Sequence, residues 1–348
     1  MQAHVAETSM PALRVALVFL TALAGSALAA LPAQMQAAAI DQGGNASVLT
    51  LHTLPVPKPA ADEVLIALHT AGVASWDVSV REKPESIKHS RMPLVLGTDG
   101  AGVVAALGAR VHGFKIGDEV YAYSWDNPQG GFYAEYVAVP AERVAHVPQG
   151  LTLTQAGAIA TTALTALQGV DDALHIKPGE TLLIHGAAGG VGTLAVQFAK
   201  LRGARVLATV AAEDEIALLQ GLGADAVVDG RHGDITAAAH AFAPAGLDAV
   251  LALAPGEALE RSIDTLKPGG RVAYPTGVHP VPRTRPGVPL VAYDAIPAPK
   301  EYQRLNAAIE AAKLRVPIAA QFPLAQAAQA QQRLEAGHVP GKIVLQIR

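Results

Sequence analysis

Not one of the 348 residues is cysteine. That absence removes disulfides, thiolate nucleophiles and every cysteine-based zinc site together. Histidine and carboxylate could still hold a metal, but the 12 histidines are scattered and show neither His-x-x-x-His nor His-Glu-x-x-His spacing. Charge is also sparse, at 16% of residues with a formal net of −4, so the chain offers no electrostatic grip on a phosphate polymer and nucleic acid is not expected as a partner. What the chain has in quantity is apolar surface: hydrophobic residues make up 51% of it, enough at this length to bury the cores of two ordinary domains.

The N-terminal stretch has two readings. Arg14 precedes an apolar run from Val15 to Ala24 and then Gly25-Ser26-Ala27-Leu28-Ala29-Ala30, the pattern of an export signal with a small-residue cleavage site. The run is too short for a stable membrane span. Met35, directly ahead of an apparent opening strand at Gln36 to Ile40, marks residues 1–34 equally well as an extension upstream of the folded part. The cytoplasm is the expected location, with export as the alternative.

From Gln36 to about Pro148 the residues are β-branched and alternating, broken by Gly and Pro, as in Glu63 to Leu68, Gly102 to Val104, Asp118 to Tyr123 and Glu135 to Val139. Many short strands at this spacing predict a β-rich, barrel-like unit. After Thr152 helices and strands alternate, which predicts a parallel sheet covered on both faces, with strands at Thr181 to Ile184, Arg205 to Val210, Ala226 to Asp229, Asp248 to Leu253 and Gly270 to Tyr274. Beyond about Pro280 the alternation lapses into a Pro-rich loop, followed by helices near Tyr302 to Leu314 and Leu324 to Ala336 and a last strand from Lys342 to Ile347. This tail is expected to return to the first domain.

The most informative segment is the turn after the first of those parallel strands. Thr181-Leu182-Leu183-Ile184 runs into His185-Gly186-Ala187-Ala188-Gly189-Gly190-Val191-Gly192, and an amphipathic helix follows through Leu194, Ala195, Phe198 and Leu201. Strand, glycine turn and helix in this order form a dinucleotide fingerprint: Gly189 lets a pyrophosphate approach the backbone, Gly192 lets helix pack on strand, and the helix N-terminus faces the anion. A tight structural turn is the plain alternative. The acids Glu213, Asp214 and Glu215 after the second strand would repel a 2′-phosphate if they faced it, though acids in a helix's first turn also favour its macrodipole.

With this turn and the β-rich first part together, the chain resembles the zinc-independent quinone oxidoreductase branch of the medium-chain dehydrogenase/reductase superfamily from Met35 to Arg348. The resemblance rests on Ala71-Gly72-Val73, Pro93 to Val104, Gly117 to Tyr121, Gly131 to Tyr136, Leu164-Thr165-Ala166, Gly186 to Gly192, Leu222 to Asp225 and Gly341 to Leu345. It implies an α/β fold in which a GroES-like catalytic domain, residues 35–158 and 283–348, is interrupted by a Rossmann domain at 159–282, with the active site in the cleft and a homodimer as the assembly. Zinc-using relatives carry a Cys just after Ala-Gly-Val and a His within Gly-His-Glu; here those positions are Ala74 and Thr98, so no zinc is expected. The Asn and Tyr that line many quinone reductase sites correspond to Ala74 and Ser79, and the usual 2′-phosphate Lys and Tyr to Glu215 and Gly230. The cofactor expected from the resemblance is NADP(H) ahead of NAD(H).

Hydride transfer to a quinone or α,β-unsaturated carbonyl asks mainly for position and for a donor at the acceptor oxygen. Thr165, at the family's threonine position, is the first candidate beside the nicotinamide; bonding to its own helix backbone is the alternative. Tyr123 is a second donor candidate, or a core residue. Trp76 either walls the substrate pocket or caps the β-domain core. Asp77 reads as a helix cap, and His185 and Lys342 as structural. Gly186, Ala187, Ala188, Gly189, Gly190, Val191 and Gly192, with Thr165, Thr209, Tyr274 and Thr276, complete the expected cofactor contacts. The competing functional reading is a nucleotide-binding protein that has lost catalysis and serves as a structural or regulatory partner.

Overall fold

The computed structural model of the chain describes residues 1, 4, 31–87 and 91–348. The chain divides into one unit of Met1–Leu31 and another of Pro32–Arg348, and the signal-like run at 15–30 lies outside the described residues. Among the described residues no helix is long and apolar enough to cross a membrane.

Within the larger unit the β-rich part comes first. It contains β1 (Gln34–Ile40), β2 (Thr50–Pro55), β3 (Glu63–Val73), a short helix α1 (Ser75–Glu82), β4 (Leu94–Val95), β5 (Asp99–Leu107), β6 (Glu119–Tyr123), β7 (Tyr136–Pro140) and β8 (Val144–His146). Helix α2 (Leu153–Gln168) follows; Thr152 caps it by accepting from Gln155 N, while Gln155 Oε1 accepts from Thr152 N. The alternating part then runs β9 (Thr181–His185), α3 (Gly190–Leu201), β10 (Arg205–Val210), α4 (Asp214–Gly221), β11 (Ala226–Asp229), α5 (Ile235–Phe242), β12 (Leu247–Ala252), α6 (Glu257–Ile263), β13 (Leu266–Pro275) and β14 (Leu290–Tyr293). Helix α7 (Pro299–Ala312), β15 (Ile318–Pro323), α8 (Ala327–Glu335) and β16 (Lys342–Gln346) close the chain.

Strands β9 to β14 form one parallel sheet in the order β11-β10-β9-β12-β13-β14, the doubly wound Rossmann arrangement. Its sixth strand is a correction to the sequence reading, which placed a Pro-rich loop there and ended the sheet before residue 282. Leu290–Tyr293 is a four-residue edge strand with two exposed positions; its apolar run Leu-Val-Ala-Tyr is short and set among prolines, so the segment reads as a loop.

The C-terminal return is also real. Strand β16 pairs antiparallel with β3, and β15 pairs with β16, extending the sheet β15-β16-β3-β5-β6-β8, with β7 on β3. A smaller sheet, β2-β1-β4, lies beside it. Helix α2 joins the two halves: one apolar core contains Ile159, Ala163 and Leu167 of α2 together with Tyr121 of β6 and Leu182 and Ile184 of β9. Helix α7 adds polar ties across the same join, where Tyr123 N donates to Tyr302 Oη at 3.0 Å and Tyr121 Oη donates to Asn306 Oδ1 at 2.6 Å.

Candidate active site

Strand β9 is wholly buried, and the chain leaves it through Gly186 at φ +81°, a left-handed conformation that favours glycine. Thr209, at the end of β10, holds this corner. Its Oγ1 accepts from Gly186 N at 3.1 Å and lies 3.1 Å from His185 Nδ1, and its carbonyl accepts from Ala187 N at 3.2 Å. The hydroxyl can both accept and donate, and the tautomer of the imidazole sets which of the two atoms donates in its bond to His185 Nδ1. Burial, with the charge of Arg261 second, pushes the His185 pKa down to about 4.

Gly189 then caps α3 without a side chain, so the N–H groups of Gly190, Val191 and Gly192 have no partner within the helix and no capping oxygen. A Cβ on Gly192 would stand 2.5 Å from the backbone of Ala187, whereas one on Gly189 would meet only Gly186 O at 3.6 Å. The first glycine packs helix on strand; above the second there is open space. That opening faces the backbone donors and the positive end of the helix dipole, the features that favour an anion.

The C-terminal return completes the turn. Gly341 N donates to Ala188 O at 2.8 Å, and a Cβ on Gly190 would touch the Lys342 side chain at 2.6 Å. Lys342 is 4% exposed; its Nζ donates to Val73 O at 3.3 Å and lies 5.8 Å from the ring centre of Trp76. A buried ammonium thus sits between the glycine turn and the start of α1. Its sequence context, one glycine before a strand, gave only a structural reading.

Trp76 itself donates from Nε1 to Thr98 Oγ1 at 2.7 Å. Among the described residues the Thr98 hydroxyl donates to nothing, so its proton is free. Thr98 also lines a small cavity with Asp77, Gly97 and Trp125. Sequence reasoning saw in Thr98 only a missing zinc ligand; no local pattern announces a hydrogen bond to a residue 22 positions away. Asp77 folds back to accept from Ala74 N at 2.9 Å, as a helix cap should, and also accepts from Tyr133 Oη at 3.0 Å. Burial, reinforced by the nearby negative charge of Asp99, pushes its carboxyl up to about 7.

The other expected residues are placed less evenly. Thr165 Oγ1 donates to Thr161 O at 2.9 Å, so the hydroxyl retains acceptor capacity only. Tyr123 is 9% exposed at the end of β6, and burial, then Asp99 and Asp294, pushes its phenol up to about 12, so it stays protonated at neutral pH. Tyr274 packs into the apolar cluster on one face of the parallel sheet. Thr276 is exposed beyond the end of β13, its hydroxyl donating to Asp294 and its N–H to Tyr293 O. The hydrogen bonds described link neither residue to the glycine turn. Among the described residues no group of three or more His, Cys, Asp or Glu is arranged to hold a metal.

Comparison with known proteins places this geometry. Residues 60–149 match the alcohol dehydrogenase GroES-like domain and residues 222–345 the zinc-binding dehydrogenase family. The quinone oxidoreductase of Sus scrofa is 31% identical over 324 residues, covering 89% of this chain and 97% of its own. The chain belongs to the quinone oxidoreductase branch of the medium-chain dehydrogenase/reductase superfamily. Another relative, the chloroplastic NADPH-dependent alkenal/one oxidoreductase of Arabidopsis thaliana, is 31% identical over 329 residues, covering 91% of this chain and 81% of that one. The solved quinone oxidoreductase of Coxiella burnetii superposes with a TM-score of 0.79 at 30% identity, covering 90% of this chain and all of the other. The protein is therefore an oxidoreductase of the medium-chain type, built from a GroES-like part and a Rossmann part.

Proposed function

We propose that the protein is a zinc-independent reductase that uses NADP(H) ahead of NAD(H) and reduces a quinone or an α,β-unsaturated carbonyl. The observation that carries the reading is the uncapped glycine turn, with Lys342 against it and the Trp76–Thr98 pair beyond. When bound, the nicotinamide supplies the hydride. The N–H groups of Gly190, Val191 and Gly192 bind the diphosphate, and Lys342 adds its charge from the opposite wall. Thr165 Oγ1, which has acceptor capacity only, would help hold the nicotinamide when it is bound. Thr98 donates a hydrogen bond to the acceptor oxygen as negative charge develops there, the indole N–H bonded to Thr98 polarises that hydroxyl further, and solvent supplies the proton that completes the reduction. Tyr123, held protonated, is a second donor at the cleft.

The preference for the 2′-phosphate follows from the likeness to an NADPH-dependent relative, and Glu215, whose carboxylate stands at the end of β10, opposes it. Its carboxylate accepts from Ala211 N, the first residue beyond β10, at 2.8 Å and pairs with His338 Nδ1 at 3.0 Å, with a side chain only 4% exposed. The adjoining end of β11 carries Gly230 and then Arg231. The protein on this reading is a cytoplasmic homodimer without a nucleic-acid partner.

The test is turnover. Full-length protein should oxidise NADPH, and NADH more slowly, when offered a panel of quinones and enones; no oxidation of either nucleotide across that panel would remove the proposal.

A further inference from the structure

The proposed reduction consumes one proton besides the hydride, and Thr98 has only its own to give. The small cavity that Thr98 lines measures about 30 Å³, room for roughly one or two water molecules, and Asp77, Trp125 and Asn127 are also among its walls. Two oxygens of these walls have no partner among the described residues, Asp77 Oδ1 and Asn127 Oδ1, and their residues are 1% and 9% exposed. A buried oxygen without a donor costs free energy. A water in the cavity would donate to both and accept from the free Thr98 hydroxyl, the set of partners that an internal water needs.

Asp77 uses its two oxygens differently. Oδ2 accepts from Ala74 N at 2.9 Å and from Tyr133 Oη at 3.0 Å, which fixes the carboxyl at the start of α1. A proton on the carboxyl therefore belongs on Oδ1, the oxygen without a partner. The charged and titratable groups acting on Asp77 are Asp99 of β5, Tyr133 from the segment ahead of β7 and Lys342 of β16. Arg81, one turn along α1, is turned to Gln331 and Glu335 of α8. Burial and the Asp99 charge outweigh Tyr133 and Lys342, so the carboxyl is half protonated at about pH 7.

We propose that Asp77 stores the proton that completes the reduction and passes it to Thr98 through water held in this cavity. The proposal rests on the reading of the protein as a reductase with Thr98 at the acceptor oxygen. The reduced nicotinamide gives the acceptor a hydride, two electrons with one hydrogen nucleus, and is left oxidised. The Thr98 O–H proton goes to the acceptor oxygen, a proton of the cavity water replaces it, and the Asp77 Oδ1 proton restores the water. The carboxylate that remains takes up one proton from solvent on the side of Trp125, a cavity wall that is 41% exposed.

The pH dependence of the reducing step tests this. Full-length protein is mixed rapidly with NADPH and excess cyclohex-2-en-1-one or 1,4-naphthoquinone, and the single-turnover rate of NADPH oxidation is read from about pH 5.5 to about pH 9. The carboxyl must be protonated to give its proton, so the rate should hold steady below about 7 and fall about tenfold per pH unit above it. Asp77→Asn keeps an oxygen for Ala74 N but has no acid proton, so the rate should drop roughly 10²-fold at about pH 6 and lose its dependence on pH. Tyr133→Phe keeps the ring and removes a bond that favours the charged carboxyl, so the fall should move to higher pH. A parental profile that is flat across this range would overturn the proposal, as would a folded Asp77→Asn protein with the parental profile. If Asp77→Asn does not fold, Tyr133→Phe decides: a fall that stays in place overturns the assignment to Asp77. The two readings fail separately, since turnover with a flat profile removes the relay alone, whereas no turnover of any quinone or enone removes the reductase and the relay with it.

Discussion

At the scale of single residues, Thr98 carries the most chemistry for its size. Its hydroxyl takes a hydrogen bond from Trp76 and has its own proton unspent. Replacing it with valine preserves the shape and removes the donor, so Thr98→Val is expected to lower kcat roughly 10²-fold while NADPH affinity, measured by fluorescence titration, stays within a factor of two. Thr98→Ser should recover most of the loss. His185 lends itself to a pH experiment. Its folded pKa of about 4 lies below the ordinary 6.5, so the unfolded chain takes up the proton first as pH falls. The contribution is fully present above about 6.5 and is lost on acidification toward 4, amounting to ~3 kcal/mol over that interval. His185→Gln should therefore show a shallower fall in urea midpoint from pH 7 to pH 4 than the parent protein. Of these two residues, the sequence placed His185 correctly as a packing residue at the turn, since strand and turn are local. The role of Thr98 was not legible, because its partner comes from another element.

At the scale of elements, the β9–α3 junction is where local sequence and tertiary need agree most closely. Gly192 sits where a methyl group would press on the Ala187 backbone at 2.5 Å. Gly192→Ala must push helix from strand, and a loss of about 1–3 kcal/mol in urea unfolding is expected together with NADPH binding weakened at least tenfold. Unchanged binding would show that the helix N-terminus is not the diphosphate site. The same junction was readable in advance because a buried strand, a glycine run and an amphipathic helix leave three signals within about twenty residues. Strand β14 left only one, the short apolar run Leu290-Val291-Ala292-Tyr293 among prolines. Four residues at a sheet edge, half of them exposed, owe their strand conformation to pairing with β13 rather than to their own pattern.

At the scale of the whole molecule, the two ends of the chain are tied through Arg81, which is 0% exposed. Its Nε donates to Gly44 O at 2.9 Å, Nη1 to Gln331 Oε1 at 2.8 Å and Nη2 to Glu335 Oε1 at 2.8 Å, joining α1, the loop after β1 and α8. The guanidinium beside it holds the Glu335 carboxyl below its usual range. Removing the cation leaves a buried glutamine oxygen and a carboxylate without their partner. Because Glu335 is exposed, the main cost is the buried Gln331 oxygen, and Arg81→Ala should lower the unfolding free energy by about 1–3 kcal/mol, read from urea denaturation, with activity recovering to parental levels in the fraction that remains folded. Nothing in the sequence pairs residues 81 and 335, although the return of the C-terminal strand to the first domain was expected from the lapse of alternation after residue 280.

The sequence by itself determined the β-rich and alternating parts, the glycine turn and the lack of cysteine ligands, because each depends on residue type and on neighbours within a turn or strand. Only the tertiary structure decided that Lys342 lies against that turn, that Trp76 holds Thr98, that Glu215 faces inward and that Asp77, Thr98 and Asn127 border one cavity. Those are meetings between residues far apart in the chain, and their distances follow from how sheets and helices stack, which no local period records.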